Sequence, residues 1–148
     1  MFNKMAREDI IYPAIAFSRD GTIHCARKES DLIYTNTLGL KNGFFNELEI
    51  VDFQARLFKI KFAKKIKFRD GIYGWLMQRI IVELFGSKIN DNINIEILKN
   101  KLFSYMNNDL DFWTSRDDYE DIISKVKLSH SHQEIVSFLT DIFYPGST

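Results

Sequence analysis

The sequence predicts an α+β fold in which N-terminal antiparallel β-hairpins form one sheet and three C-terminal helices pack against it. Two observations support this prediction: apolar and polar residues alternate in the first half of the chain, and apolar residues recur at helical spacing in the last third. No linker rich in Pro, Gly or Ser separates the two parts, and no segment repeats at a fixed period. We therefore expect residues 1–148 to form a single α+β domain.

The first predicted hairpin consists of residues 10–17 and 22–26. Both segments are rich in β-branched and aromatic residues, and the Asp20-Gly21 pair between them is a common tip of a hairpin turn. Pro13 has no amide hydrogen, so its strand is expected to begin there or to lie at a sheet edge. A short helical or irregular connection is expected over residues 30–40.

The second predicted hairpin pairs residues 47–53 with residues 57–68, where polar and apolar residues alternate. One parity of its second strand is apolar and is predicted to face the core: Phe58, Ile60, Phe62, Ile66 and Phe68. The other parity is cationic and is predicted to form an open basic face: Lys59, Lys61, Lys65, Lys67 and Arg69. Beyond the glycines at positions 71 and 74, a further strand is expected from Gln78 onward.

The three predicted helices each begin at a recognisable cap. Asn94 is a suitable cap for a helix that ends near residues 107–108. Ser115 followed by Asp118, and Ser131 followed by Glu134, both resemble capping boxes, and apolar residues recur at helical spacing after each of them. Each helix is therefore expected to bury one side against the sheet.

The composition favours a folded protein of the cytoplasm. Hydrophobic residues make up 45% of the chain and aromatic residues 14%, which is enough apolar surface for a core. Cys25 is the single cysteine and can form no internal disulfide, which is typical of a reducing compartment. No apolar run approaches the roughly 18 residues that a membrane span needs. We expect no membrane partner.

The common motifs of enzymes and cofactor sites are absent from the sequence. There is no phosphate-binding loop, no dinucleotide fingerprint and no nucleophile elbow, and the G-x-x-G at residues 71–74 lacks the flanking helices of a KH loop. His130 and His132 have too few other His or Cys residues for a metal site. His24 and Cys25 are neighbours on a strand, so their side chains point to opposite faces. We predict no catalytic residue, metal or cofactor; the alternative is an enzyme with an unrecognised site near His24 or His132.

The two parts of the chain differ in charge, although the net charge is zero. Residues 1–90 carry 15 basic and 10 acidic side chains, whereas residues 91–148 carry 5 basic and 10 acidic ones. Carboxylates around an exposed tryptophan would suit a basic protein partner. The predicted partner-binding residues are Asp109, Asp111, Trp113, Asp117, Asp118, Glu120 and Asp121. Helix N-termini also favour Asp and Glu, and burial of Trp113 would remove the anchor of this predicted site.

A nucleic-acid-binding module is the second hypothesis. Lys59, Lys61, Lys65, Lys67 and Arg69 could follow a phosphate backbone along their strand. The aromatic residues of the strand have the opposite parity and are expected to face the core, which leaves no stacking surface beside the lysines. Lysines also protect a sheet edge from aggregation, and this interpretation ranks above nucleic-acid binding.

Three segments resemble small bacterial immunity proteins of polymorphic and contact-dependent toxin systems. They are residues 12–24 (YPAIAFSRDGTIH), 38–45 (LGLKNGFF) and 78–84 (QRIIVEL), so the resemblance covers about the first 85 residues. It implies a cytoplasmic, non-enzymatic protein that neutralises a cognate toxin by direct binding. If that toxin is a basic nuclease, the acidic segment would match the charge of the nuclease's substrate.

Overall fold

The computed structural model describes residues 4–5 and 9–145, which form a six-stranded sheet and its surrounding helices. The strands are β1 (Ala14–Phe17), β2 (Ile23–Ala26), β3 (Tyr34–Asn36), β4 (Leu48–Val51), β5 (Leu57–Phe68) and β6 (Arg79–Asn90). The helices are α1 (Glu29–Ile33), α2 (Thr37–Lys41), α3 (Gly71–Leu76), α4 (Ile95–Asn108), α5 (Leu110–Thr114), α6 (Tyr119–Leu128) and α7 (His132–Phe143). The strands lie in the order β2-β1-β4-β5-β6-β3, and all neighbours are antiparallel. The predicted α+β class is confirmed.

Both predicted hairpins are present in the sheet. β1 pairs with β2 through a turn in which Gly21 has a φ of 93°, and β4 pairs with β5. β1 also pairs with β4, so it lies inside the sheet, and Pro13 immediately precedes it. The strand expected from Gln78 is β6, which begins one residue later and forms a long hairpin with β5.

Side chains are buried on both faces of the sheet. One core lies between the sheet and the four helices α4 to α7, and it includes Ile15 and Phe17 of β1 and Leu102 of α4. The other core lies under α1, α2 and the loop before β4, where Ala16 of β1 packs with Leu32 of α1 and with other apolar side chains. All four residues of β1 are therefore buried.

The expected arrangement of three helices on one face needs correction. In the described part of the chain, four helices follow β6 rather than three, because residues 110–114 form the short helix α5. The second face is covered by α1, α2 and their connections, segments of five residues that are too short to show helical periodicity in the sequence.

The alternation predicted for β5 fails beyond Ile60 because two β-bulges interrupt the strand. The pairing of β5 with β6 shifts between Ile60 and Phe62 and again between Lys65 and Lys67. Each extra residue turns the following side chains to the opposite face. Phe62 therefore leaves the core face and stacks on Phe85 with ring centroids 4.8 Å apart.

The caps of α4 and α7 are as predicted, but the cap of α6 is not. Asn94 accepts a hydrogen bond from the amide of Glu96 at 2.7 Å, and Ser131 accepts one from the amide of Glu134 at 3.1 Å. Ser115 instead ends α5, where its hydroxyl donates to the carbonyl of Phe112 at 2.7 Å. The helix α6 begins four residues after Ser115, without a side-chain cap.

A buried ion pair joins the turn between β4 and β5 to the segment before β1. Asp52 is fully buried, and its carboxylate accepts a hydrogen bond from Arg56 at 2.6 Å and one from the amide of Ile11 at 3.2 Å. Arg56 in turn donates to the carbonyl of Asp9 at 2.6 Å. Burial of a carboxylate is costly unless its oxygens have hydrogen-bond partners, so this contact holds residues 9–11 in place.

Candidate protein-binding surfaces

A cleft of about 370 Å³ opens beside β6, at the edge of the sheet. Its lining is mainly apolar and includes Tyr12, Ile33 and Leu84. Lys4 and Glu83, which also line it, form an ion pair at 3.2 Å. Burial raises the pKa of Tyr12 above its ordinary value. This lining offers apolar surface with few polar groups to orient a ligand.

His24, Cys25 and His132, the residues considered for an unrecognised catalytic site, lie in different surroundings. His24 lies on the face of β2 that it shares with Ala16, where its ring packs edge-on against Phe44, and partial burial of the ring lowers the pKa of His24. Cys25 points into the core, where burial raises the pKa of its thiol to about 12. His132 lies in the first turn of α7, and its buried Nε2 has no partner among the described residues.

The described residues contain no cluster of three or more His, Cys, Asp or Glu that could hold a metal ion. No helix in that part of the chain is long and apolar enough to cross a membrane.

Trp113 lies in the core and not on the surface. It is 1% exposed in α5 and packs edge-to-face against Phe143 of α7, with ring centroids 6.1 Å apart. The predicted acidic binding site therefore loses its aromatic anchor, because a buried ring cannot enter a partner's pocket. The ring of Phe112, next to it in sequence, is 48% exposed and contacts Trp113 from outside.

The carboxylates of the predicted site remain at the surface, and we name residues 109–121 the acidic corner. Asp111, Asp117, Glu120 and Asp121 are exposed, while Asp109 and Asp118 are partly buried. Arg116 forms two hydrogen bonds to Asp118, at 3.0 and 3.2 Å, and this contact lowers the pKa of Asp118. The acidic corner thus presents negative charge with a small apolar area at Leu110 and Phe112.

The cations of β5 do not form the continuous basic face that the sequence predicts. Because of the bulges, Lys65 pairs with Val82 on one face of the sheet and Lys67 pairs with Ile81 on the other. Near the start of the strand, Lys59 reaches the carboxylate of Glu47 at 3.1 Å, which raises the pKa of Lys59.

Two further members of the predicted basic face also have partners inside the chain. Lys61 contacts Glu47 at 3.4 Å, and Arg69 lies over the ring of Tyr34 at 4.9 Å. The five predicted cations therefore do not all lie on one face of β5.

Among the residues that the structure describes, the largest group of neighbouring exposed apolar side chains is on α3 and its C-terminal end, between β5 and β6. We name it the α3 patch; its residues are Ile72, Tyr73, Trp75, Leu76 and Met77. Ile72 is 77% exposed, Leu76 is 64% exposed and Trp75 is 53% exposed. Sequence reasoning missed this surface because residues 71–74 suggested only a break in the pattern and residues 75–77 were ambiguous between helix and strand.

Close contact on one side of α3 leaves its apolar residues on the outside. A β-carbon at Gly74 would lie 1.3 Å from the carbonyl oxygen of Arg69, so only glycine permits this approach. α3 is flanked by Asp70 and Gln78, which have positive φ angles of 64° and 56°. Such angles are costly for residues other than glycine and are concentrated at functional sites.

Hydrogen bonds from α2 hold the end of α3. The side-chain amide of Gln78 donates to the carbonyl of Trp75 at 2.7 Å and accepts from the hydroxyl of Thr37 at 2.9 Å. The amide of Thr37 donates to the carbonyl of Gln78 at 3.0 Å. A shallow groove of about 380 Å³ lies here between Leu38 and Met77. These hydrogen bonds connect the C-terminal end of α3 to α2.

Comparison of the chain with protein-family models, with curated proteins and with solved structures gave no match.

Proposed function

We propose that this chain is a non-enzymatic protein that acts by binding another protein. More specifically, we propose that it is an immunity-type protein that neutralises a cognate bacterial toxin by direct binding, as the sequence resemblance implies. The observation that carries the proposal is the α3 patch, where five large apolar side chains lie together in water on a short, firmly held helix.

The energetics of the α3 patch support a binding role. Burying a side chain of this kind against a partner is worth about 1.5–3 kcal/mol, so exposing several of them together is unfavourable unless they are covered. The patch also contains Trp75, Tyr73 and Met77, types of residue that are enriched in protein interfaces. Because the backbone is already held, little ordering would be needed on binding.

The acidic corner supports the toxin-binding form of the proposal. Its exposed carboxylates would attract a basic toxin domain and speed the encounter. With Trp113 buried, Leu110 and Phe112 are the apolar side chains that remain available beside Asp111.

The proposal is tested with a tagged chain used to capture proteins from its native cells, with and without nuclease treatment. We expect one protein to be retained in equal amount after nuclease treatment, and light scattering of the purified pair to give a defined stoichiometric complex. Co-expression should then relieve any toxicity of the captured partner. If no nuclease-resistant protein forms a stoichiometric complex, the proposed function is wrong.

The competing function is nucleic-acid binding through Lys59, Lys61, Lys65, Lys67 and Arg69. It predicts retention that nuclease treatment abolishes, and an affinity that falls steeply with salt, by a slope of about −0.9 for each phosphate contact on duplex DNA. The division of these cations between two faces and their contacts with Glu47 and Tyr34 favour protein binding instead.

A further inference from the structure

We propose that the α3 patch docks a protein surface with an apolar centre and carboxylates at its rim. This inference rests on the proposed function and names the chemistry of the partner's contact surface. It also assigns the contact to a region outside the acidic corner.

The spacing of the exposed side chains makes the α3 patch one continuous apolar surface. Trp75 and Leu76 follow Ile72 by three and four residues, so both lie next to Ile72 on the helix surface. Tyr73 and Met77 lie on the adjoining side, and Gly74 occupies the side that contacts β5. The sides of α3 that do not contact the rest of the chain therefore present large apolar residues to a partner.

The charges around the α3 patch are mainly positive. From Lys67 to Ile81, which pair with each other near the end of the β5–β6 hairpin, the chain carries three cations and one acidic residue. That acidic residue, Asp70, is shared loosely between Arg69 and Arg79, at 3.9 and 3.8 Å, and the guanidinium of Arg79 also lies over Tyr73 at 5.0 Å. Lys41 lines the groove beside Met77 on the other side of the patch.

These cations determine what kind of partner fits. An arginine beside an apolar patch can hold a partner's carboxylate with paired hydrogen bonds, and a basic rim repels a basic surface. Carboxylates at the rim of the partner would therefore complement Arg69, Arg79 and Lys41. Tyr73 and Trp75 offer rings on which bases can stack, but Ile72, Leu76 and Met77 are aliphatic. These three side chains gain more from burial against an apolar protein surface than from contact with a nucleic acid.

The experiment selects phage-displayed random short peptides against the purified chain and against matched variants. The Trp75→Ser, Leu76→Ser double variant removes apolar surface from the α3 patch. Leu128→Ser is the control, because Leu128 is 72% exposed on α6, outside the patch. Circular dichroism and urea unfolding establish that all three proteins are folded.

We expect selected peptides to combine Leu, Phe or Trp with Asp or Glu. Their affinity should fall about tenfold or more on the double variant and stay unchanged on the Leu128→Ser control. Replacing Arg79 with Glu should weaken the same peptides, and high salt should weaken them less than it weakens a purely ionic contact. Selection of basic peptides, or of peptides that bind the double variant equally well, would overturn the inference.

Two further measurements test whether the α3 patch binds a second copy of the chain or a nucleic acid instead. Light scattering reports whether the chain self-associates, and fluorescence anisotropy reports binding of a short labelled DNA. Self-association that the double variant abolishes would show that a second copy covers the α3 patch. DNA binding that the double variant abolishes would assign the patch to nucleic acid. Either result would overturn the inference.

These experiments distinguish a failure of this inference from a failure of the proposed function. Acidic-apolar peptides that depend on the α3 patch support the inference even if no cellular protein forms a stoichiometric complex. A stoichiometric complex that tolerates both substitutions, together with no patch-dependent peptide, overturns the inference while the protein-binding function stands.

Discussion

The acidic corner and the α3 patch are two possible binding surfaces that differ in how their aromatic residues are used. In the acidic corner, Trp113 is 1% exposed and supports the packing of α5 against α7, while the carboxylates remain outside. In the α3 patch, Trp75 is 53% exposed, and Arg79 lies over the ring of the nearby Tyr73. The first surface is thus charged over a packed interior, whereas the second is apolar at its centre.

This comparison shows that residue type alone does not identify an interface. Each tryptophan closely follows an aliphatic and an aromatic residue in the sequence, yet the packing buries one ring and exposes the other. Binding energy is concentrated where an apolar side chain can be removed from water, so the α3 patch is the stronger candidate for affinity. The acidic corner is better suited to guide an encounter.

The largest expected effect distinguishes the two tryptophans by stability. Trp113→Ala should lower the free energy of unfolding by about 3–5 kcal/mol, because it leaves a cavity in the core. Trp75→Ala should lower it by less, about 1–2 kcal/mol, since only about half of the side chain is removed from water. Urea denaturation followed by circular dichroism measures both values. Equal losses would mean that Trp75 supports the fold as much as Trp113 does.

The second prediction concerns the glycine on which the α3 patch depends. Gly74→Ala should lower the free energy of unfolding by about 1–3 kcal/mol and displace α3, because the new methyl group overlaps the carbonyl of Arg69. It should also weaken the peptides that bind the patch, as measured by titration calorimetry.

Gly71→Ala provides the comparison for Gly74→Ala. No atom lies within 4 Å of a β-carbon at Gly71, so its cost of about 1 kcal/mol should come only from a φ of 60°. Full retention of peptide binding by Gly74→Ala would show that the position of α3 is unimportant for the patch.

The third prediction tests the acidic corner by its effect on rate. Asp111→Lys should slow association with a basic partner about tenfold at low salt, with a smaller effect at high salt and no change in stability. Asp141→Lys is the control, because Asp141 is an exposed carboxylate on α7 outside the corner. Stopped-flow mixing with the captured partner measures the rate. Identical rates for both variants would exclude the corner from the encounter.

The smallest expected effect is the pH dependence of one ion pair in the acidic corner. Arg116 lowers the pKa of Asp118 below its ordinary value of 3.8. Since the folded-state pKa is the lower one, the pair stabilises the fold above that ordinary value, and the contribution is lost as pH falls through the folded-state pKa. The effect should be small because the pair is exposed to water.

Carboxyl NMR titration of the wild type and of Arg116→Gln measures this shift. The pKa of Asp118 should rise toward its ordinary value in the variant. An unchanged pKa would mean that Arg116 does not set the charge of this carboxylate.

Much of the fold could be predicted because its elements follow local rules. The hairpins of β1 with β2 and of β4 with β5 show in alternation and turn residues, and the caps at Asn94 and Ser131 lie where the sequence places them. The candidate site was harder to predict. The carboxylates of the acidic corner are exposed as a charged segment suggests, but the exposure of a tryptophan depends on what packs over it.

The positions of the cations on β5 also could not be predicted from local sequence rules. Alternation along β5 predicts one cationic face, but the bulges after Ile60 and Lys65 depend on the register that β6 imposes, and β6 is more than ten residues away in the sequence. The covering of the second sheet face likewise comes from five-residue helices and loops that have no periodicity of their own.

By itself, the sequence determined the α+β class, the two hairpins, the principal helices and the separation of charge between the two parts of the chain. Periodicity, caps and turn residues act over a few neighbouring positions, so they can be read from the chain alone. The tertiary structure alone decided that Trp113 is buried, that the cations of β5 are divided between two faces, and that α3 presents its apolar residues to water. Those outcomes depend on which distant segments pack together, because burial is a property of the packed molecule and not of local sequence.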